Sequence, residues 1–359
     1  EVTLEWNRGP VGNTSNRIGS TATNFRVFKS TNGHGFDNGV DVGNNLSYTM
    51  TLTPGELLFL RVSATNAAGI SMPSETLASR VGTGENPSIL IVNGFQRDDQ
   101  YLPPLRYLQN IGGCGAAAIN YYRDLDPRKY QSLNYTIQHA RAVAAKGGYS
   151  IDSCSRNAIN SAQYNLANYN IVLWIGGQQA EVDTLDNVDD TAFRPNEQIA
   201  LTNYLTGGGR LMISGSELGW DFGRPQASAN NRLFFSNFLK AGFVNNDANT
   251  YNVVGTTGIF SGIGSINFDN GSGTAYDVSQ PDILTPAGGA TACLSYSGGL
   301  AGTAAIQYAG TFGTGTATGR LVYMGFPFEA ITSEANRNTV MSRVLDFFIP
   351  AKVDEWSDF

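Results

Sequence analysis

Histidine and cysteine are scarce in this 359-residue chain: two of the first, His34 and His139, and three of the second, Cys114, Cys154 and Cys293. Two histidines cannot build a His-rich metal site, and a Ser-His-Asp arrangement would rest on His139 alone. No Cys-x-x-Cys spacing occurs, which excludes a zinc ribbon. Cys114 and Cys154 are expected in loops at one sheet edge, which leaves a disulfide between them open in an oxidising compartment. Charge is sparse too, 15% of residues, with a net charge of −7 and a pI near 4.9. A negative chain is a poor partner for nucleic acid or an anionic membrane. No apolar run reaches the roughly 18 residues of a spanning helix, so no membrane insertion is expected.

What is abundant is turn-forming residue, 42 glycines and 13 prolines, beside 41% hydrophobic residues, enough for real cores. The length suggests two domains. The pivotal stretch is Arg210 to Asp221, in which the apolar run Leu211-Met212-Ile213 breaks into Gly215-Ser216-Glu217-Leu218-Gly219. This G-x-E-x-G spacing suits a strand that turns sharply into the next element and presents its central side chain above a sheet. With Glu217 at the centre, the turn offers a general acid, a general base or a cation ligand, and acyl-enzyme chemistry is not supported.

Residues 1–82 alternate apolar and polar positions in short runs, as in Val2 to Trp6, Asn24 to Phe28 and Leu57 to Val62, with turn signals between them. That pattern predicts an all-β sandwich. The segment Leu60 to Glu75 resembles the last strands of a fibronectin type III domain, and Trp6 matches that fold's buried tryptophan. The first strand of such a domain is missing, and Leu58 stands at its corner-tyrosine position. The resemblance implies a spacer or docking module.

From residue 83 to 350 the pattern changes to continuous apolar strands separated by helices. Ser88 to Asn93, Tyr149 to Asp152, Asn170 to Ile175, Leu211 to Ile213 and Leu321 to Gly325 read as five strands. Helices are expected over Tyr135 to Ala145, from Pro195 with Ile199 and Leu205 inward, and over the stripe Val340 to Phe348. On the first of these, His139 lies off the Ile137/Ala140/Ala144 stripe and is expected to face solvent. The expected fold is α/β, an open flavodoxin-like parallel sheet, interrupted by an antiparallel β insertion over about 250–318. Residues 351–359 read as a linker or tail.

Ligands of such sheets sit at the carboxyl ends of the strands. One rim would gather Asp98, Asp99, Asp152, Glu217, Asp221 and Glu329 with Arg97. Glu217, Asp221, Asp98 and Glu329 are the candidate catalytic acids; Arg97, Trp220, Ser216 and Asp152 are the candidate substrate contacts. Converging carboxylates repel one another, which raises some pKa values or recruits a divalent cation such as calcium. Together with a stacking tryptophan they suit a polyhydroxylated ligand. Against this, carboxylates after strands also cap helices or pair with arginine, and Trp220 can be core. No organic cofactor is implied.

The stretches Val92 to Arg97, Tyr149 to Ser153, Trp174 to Gly176, Ile213 to Asp221 and Met324 to Glu329 resemble a family of secreted bacterial proteins labelled xanthan lyase-like or golvesin-like. More distantly they are similar to class I glutamine-amidotransferase-like domains, with Glu217 in place of the elbow cysteine. Where that family carries acids, this chain has Gln96, Gln178 and Gln179. The resemblance implies a secreted or cell-surface bacterial module that binds extracellular polysaccharide or cell-surface glycan without catalysis, with neighbouring domains or copies of itself as further partners. The alternative is a hydrolase of polysaccharide or peptidoglycan that uses the carboxylate cluster.

Overall fold

The computed structural model describes residues 1–8, 21–84, 87–97, 105–107, 121–123, 132–181, 190–273 and 275–350. The chain begins with β1 (Val2–Glu5), β2 (Asn24–Ser30), β3 (Val40–Asp41), β4 (Ser47–Met50), β5 (Leu57–Asn66), β6 (Gly69–Ile70) and β7 (Leu77–Arg80). Strands β1 and β4 pair antiparallel as a ribbon. The ribbon lies over β2 and β5, and Leu4, Phe25, Val27, Leu58, Leu60 and Val62 fill the space between. Alternation along β5 sends Leu58, Leu60 and Val62 to this side and Phe59 to the opposite core.

Next come β8 (Ser88–Asn93), the short antiparallel pair β9 (Leu105–Tyr107) and β10 (Tyr121–Arg123), α1 (Thr136–Lys146), β11 (Ser150–Ser155), α2 (Arg156–Asn160) and β12 (Ile171–Gly177). They are followed by α3 (Pro195–Thr206), β13 (Arg210–Gly215), α4 (Leu218–Gly223), α5 (Ala229–Asn237) and β14 (Ala241–Asn245). Five short strands then follow: β15 (Asn252–Gly255), β16 (Ile266–Asn267), β17 (Ile283–Pro286), β18 (Thr291–Tyr296) and β19 (Thr303–Gly310). The last elements are β20 (Gly319–Met324) and α6 (Glu334–Phe348).

Strands β11, β8, β12, β13 and β20 lie side by side and run parallel. Both faces of this segment are apolar. Ile89 and Ile91 meet α1 and α6 through Ile137, Val143, Met341 and Leu345. Leu90 and Val92 meet α2 and α3 through Ile159, Leu201 and Leu205.

The expectation of a separate sandwich beside a flavodoxin-like parallel sheet is corrected by the pairing. Strand β7 joins β11 antiparallel at Arg80 and Ile151, so the N-terminal strands continue the sheet of the later ones. At the other edge β19 pairs antiparallel with β20, and β14 to β18 extend from there. The result is one mixed sheet of 16 strands. The physical reason is edge satisfaction: β11 would otherwise present unpaired backbone groups to solvent. Ser153 strengthens the join, its Oγ donating to the Ala78 carbonyl and accepting from the Ala78 N–H, both about 2.8 Å.

Two helix faces also differ from expectation. His139 is buried, not solvated: its ring packs on Phe328 at 4.6 Å between centroids and its Nδ1 lies 3.2 Å from the Tyr135 carbonyl. Helix α1 is covered by α6 as well as by the sheet, so its buried arc is wider than one stripe. Ile199, expected inward, is 58% exposed, and α3 packs through Leu201, Tyr204 and Leu205 instead.

Candidate functional site

The turn after β13 brings the chain back on itself closely. A Cβ on Gly215 would lie 2.9 Å from the Gly176 backbone, and one on Gly219 would lie 3.0 Å from the Asp282 carboxylate. Between these glycines Glu217 adopts the left-handed region, φ 65° and ψ −6°. For a non-glycine residue that conformation costs about 1–2 kcal/mol. Arg97, almost fully buried, meets Glu217 at 3.2 Å and also donates to the Gln178 carbonyl at 2.9 Å. The loop after β8 is fixed by Gln179, whose Oε1 accepts the N–H groups of Gln96 and Arg97 at 2.8 and 2.7 Å. Gln178 donates to the Asp277 carbonyl at 2.9 Å. The two glutamines therefore act as struts of this crest.

The remaining candidates are similarly engaged. Asp221 is buried and accepts from the Ala192 N–H at 2.8 Å and the Thr191 hydroxyl at 3.3 Å. Burial raises its pKa, against the lowering effect of those donors. Ser216 is fully buried, with its N–H on the Gly177 carbonyl, so it is not presented to a ligand. Trp220 is half-buried, with the Arg224 guanidinium 3.3 Å from its ring centroid. Glu329 is buried and accepts from the Tyr276 hydroxyl at 2.6 Å, while its Oε2 has no partner among the described residues. Burial pushes its carboxyl up to about 7. Asp98 lies outside the described residues, as do Cys114 and the tail; Cys154 is a free, buried thiol. In the loop after β16, Asp269 accepts the N–H groups of Gly271, Gly273 and Ala275.

Sequence reasoning did not anticipate Asp282, which comes from the strands preceding β20. Fully buried, it accepts the Gly219 N–H at 2.7 Å, and burial raises its pKa well above normal, with Glu217 and Asp221 adding to the effect. Arg156 is also fully buried and holds Glu197 through two nitrogens at 2.8 and 2.5 Å.

Asp152 is the exception among the candidates. Strand β11 extends to Ser155, so Asp152 sits in mid-strand opposite Leu90 and not at the carboxyl end. There it accepts from the Tyr169 hydroxyl at 3.0 Å and lines a cleft of about 520 Å³. The cleft opens over the β7–β11 seam, between the β1–β4 ribbon and the turn after α2. Its walls include Glu5, Trp6, Glu75, Ser79, Asp152, Cys154, Gln163, Tyr164 and Tyr169. Glu75 accepts from Asn93 Nδ2 at 2.6 Å, and burial pushes its carboxyl up to about 7. A cleft of this size, with convergent polar groups and a perturbed acid, is a candidate ligand site. No motif marked Glu75, Tyr164 or Tyr169; only the seam between distant strands brings them together.

No family model matches the chain, and no curated protein matches it. Among solved structures, one described as the mmIFT52 N-terminal domain is similar over 60% of this chain and 91% of its own, at 14% identity and a TM-score of 0.37.

Proposed function

We propose that the chain is a secreted or cell-surface glycan-binding module that works without catalysis, and that the cleft over the β7–β11 seam holds the glycan. The observation that carries this reading is the contrast between the two places. On the crest, Glu217, Asp221 and Glu329 are held by Arg97, by backbone N–H groups and by Tyr276. The cleft instead offers carboxylates, amides and tyrosine rings along an open wall, the mixture of hydrogen-bonding groups and flat apolar surface that a sugar chain requires. Isothermal titration against soluble polysaccharide fragments tests it. Tyr164→Ala should weaken binding about tenfold, a loss of about 1.4 kcal/mol, with little change in melting temperature. Undiminished binding in that variant would move the ligand elsewhere.

One observation favours a hydrolytic second reading. Glu75, with its carboxyl near 7, and Asp152, raised by burial against the lowering effect of the Tyr169 hydroxyl, line the same cleft as a pair of carboxyls. Release of reducing ends that is lost in Glu75→Gln would favour it; no release from any fragment bound would dismiss it.

A further inference from the structure

The cleft is acidic without compensation. Glu5 comes from β1, Glu75 from the segment before β7 and Asp152 from β11, so three separate elements each contribute a carboxylate. Among the described residues the one basic residue in the walls is Arg61, and its guanidinium is turned to the opposite face of β5, donating to Thr76 and Asn134 and lying over Phe36 at 4.1 Å. The weak acids of the cleft register the same field. Burial is the main cause that raises Cys154, Tyr164 and Tyr169, and the neighbouring carboxylates Glu5, Glu75 and Asp152 raise them further. No cation enters among the causes for any of the three.

A second, independent observation points to a ligand. Ser79 lines the cleft, is only 5% exposed, and its Oγ has no hydrogen-bond partner among the described residues. Trp6 Nε1, also in the wall, has none either. A buried polar group left unpaired costs about 1–3 kcal/mol, which a ligand recovers by pairing with it. The indole N–H can only donate, so it calls for an acceptor, such as a sugar hydroxyl oxygen. The carboxylates call for charged donors. A ligand that supplies both along one chain is a polyhydroxylated amine. A lysine side chain supplies donors alone. Among the described residues no three acidic, thiol or imidazole groups converge as a metal site would require.

Resting on the glycan-binding reading above, we infer that the cleft selects a glycan of amino sugars with free amines, a glucosamine polymer, over its N-acetylated or neutral counterparts. The ammonium groups pair with Asp152 and Glu5, the Glu75 carboxyl stays a neutral hydrogen-bonding group beside Asn93, and the ring hydroxyls meet Trp6 and Ser79.

The test is titration of the full chain with β-1,4-linked hexamers of glucosamine, N-acetylglucosamine and glucose at pH 6, in 20 and 300 mM salt. The glucosamine hexamer is expected to bind at least tenfold tighter than the other two at low salt, with the preference shrinking severalfold at high salt. Asp152→Asn should remove most of that preference. Should that variant fold poorly, Ser79→Ala serves in its place: it is expected to keep or raise the melting temperature while weakening the glucosamine hexamer severalfold. Equal binding of all three hexamers, or tighter binding of a neutral one, overturns the inference and leaves the glycan reading standing. Binding of none of them removes both. Tighter binding of oligolysine than of the glucosamine hexamer overturns the inference in favour of a basic peptide.

Discussion

At the scale of single residues, the crest is a place where carboxyl groups serve structure. Glu217 holds a left-handed backbone conformation while pairing with a buried guanidinium, so its charge compensates Arg97 as much as it serves any ligand. Removing one member of a buried pair leaves the other uncompensated, at about 3–5 kcal/mol in a fully buried setting. Here the glutamate is partly exposed and Arg97 keeps the Gln178 carbonyl, so Glu217→Gln should cost about 2 kcal/mol, read as a lower midpoint in urea. An unchanged midpoint would restore Glu217 as a free functional acid. Glu329 makes a different prediction, because its carboxyl moves from 4.5 to about 7 on folding. Between those values the native state holds a proton that the unfolded chain has lost. This group's contribution to stability is therefore full below about pH 4.5, is lost as pH rises to about 7, and is flat beyond. Glu75 acts in the same direction over the same window. His139, lowered from 6.5 to about 4 by burial, acts oppositely, adding stability as pH rises between those two values. Glu329→Gln should flatten the decline toward alkaline pH and unfold about 2 kcal/mol harder than the parent at pH 8. The check is a set of melts from pH 5 to 8, and a parallel pair of curves would refute it.

At the scale of elements, what was legible in the sequence follows physical range. Four of the five parallel strands, β8, β12, β13 and β20, announce themselves because each is a continuous apolar run covered on both faces, a local property of residues such as Ile89 to Val92 and Val172 to Ile175. The turn at Gly215 to Gly219 is equally local, since its glycines mark close approaches that any side chain would block. The sheet's continuity was not legible. It depends on β7, four residues long, finding β11 about 70 positions later, and neither strand carries a sign of its partner. The cleft inherits that invisibility, because Glu5, Glu75 and Asp152 meet only once the seam is formed. The end of β11 is hidden for a related reason: the sequence ends the strand at Asp152, yet the ladder continues through Ser155. Ser153 supplies its hydroxyl to both backbone groups of Ala78 at a seam whose ladder holds only the Ile151–Arg80 pair. Ser153→Ala should therefore cost about 1–2 kcal/mol and speed hydrogen exchange at Ala78 and its neighbours in β7. Exchange protection at Ala78 that survives the substitution would show the seam to be held by other contacts.

At the scale of the whole molecule, a single sheet makes a claim that two stacked domains would not. The N-terminal strands share Phe59 and Ala78 with the core under α1, while Leu58 and Leu60 pack beneath the β1–β4 ribbon. Arg80, buried, reaches the Tyr149 carbonyl across the seam and the Gly55 carbonyl beside it. Unfolding residues 1–82 alone would strip the edge of β11, break these contacts and expose the core under Phe59 at once. Two domains joined by a linker would unfold independently, whereas elements that share a core and a ladder unfold together. Calorimetry should accordingly give one transition, with calorimetric and van't Hoff enthalpies in agreement. A chain beginning at residue 87 should melt at least about 5 °C lower than the parent, since an uncovered β11 edge and apolar floor remain. Two resolved transitions, or a shortened chain that melts where the parent does, would mean that the seam is a contact between finished domains. In that case the cleft above it would open and close with their relative motion instead of standing preformed.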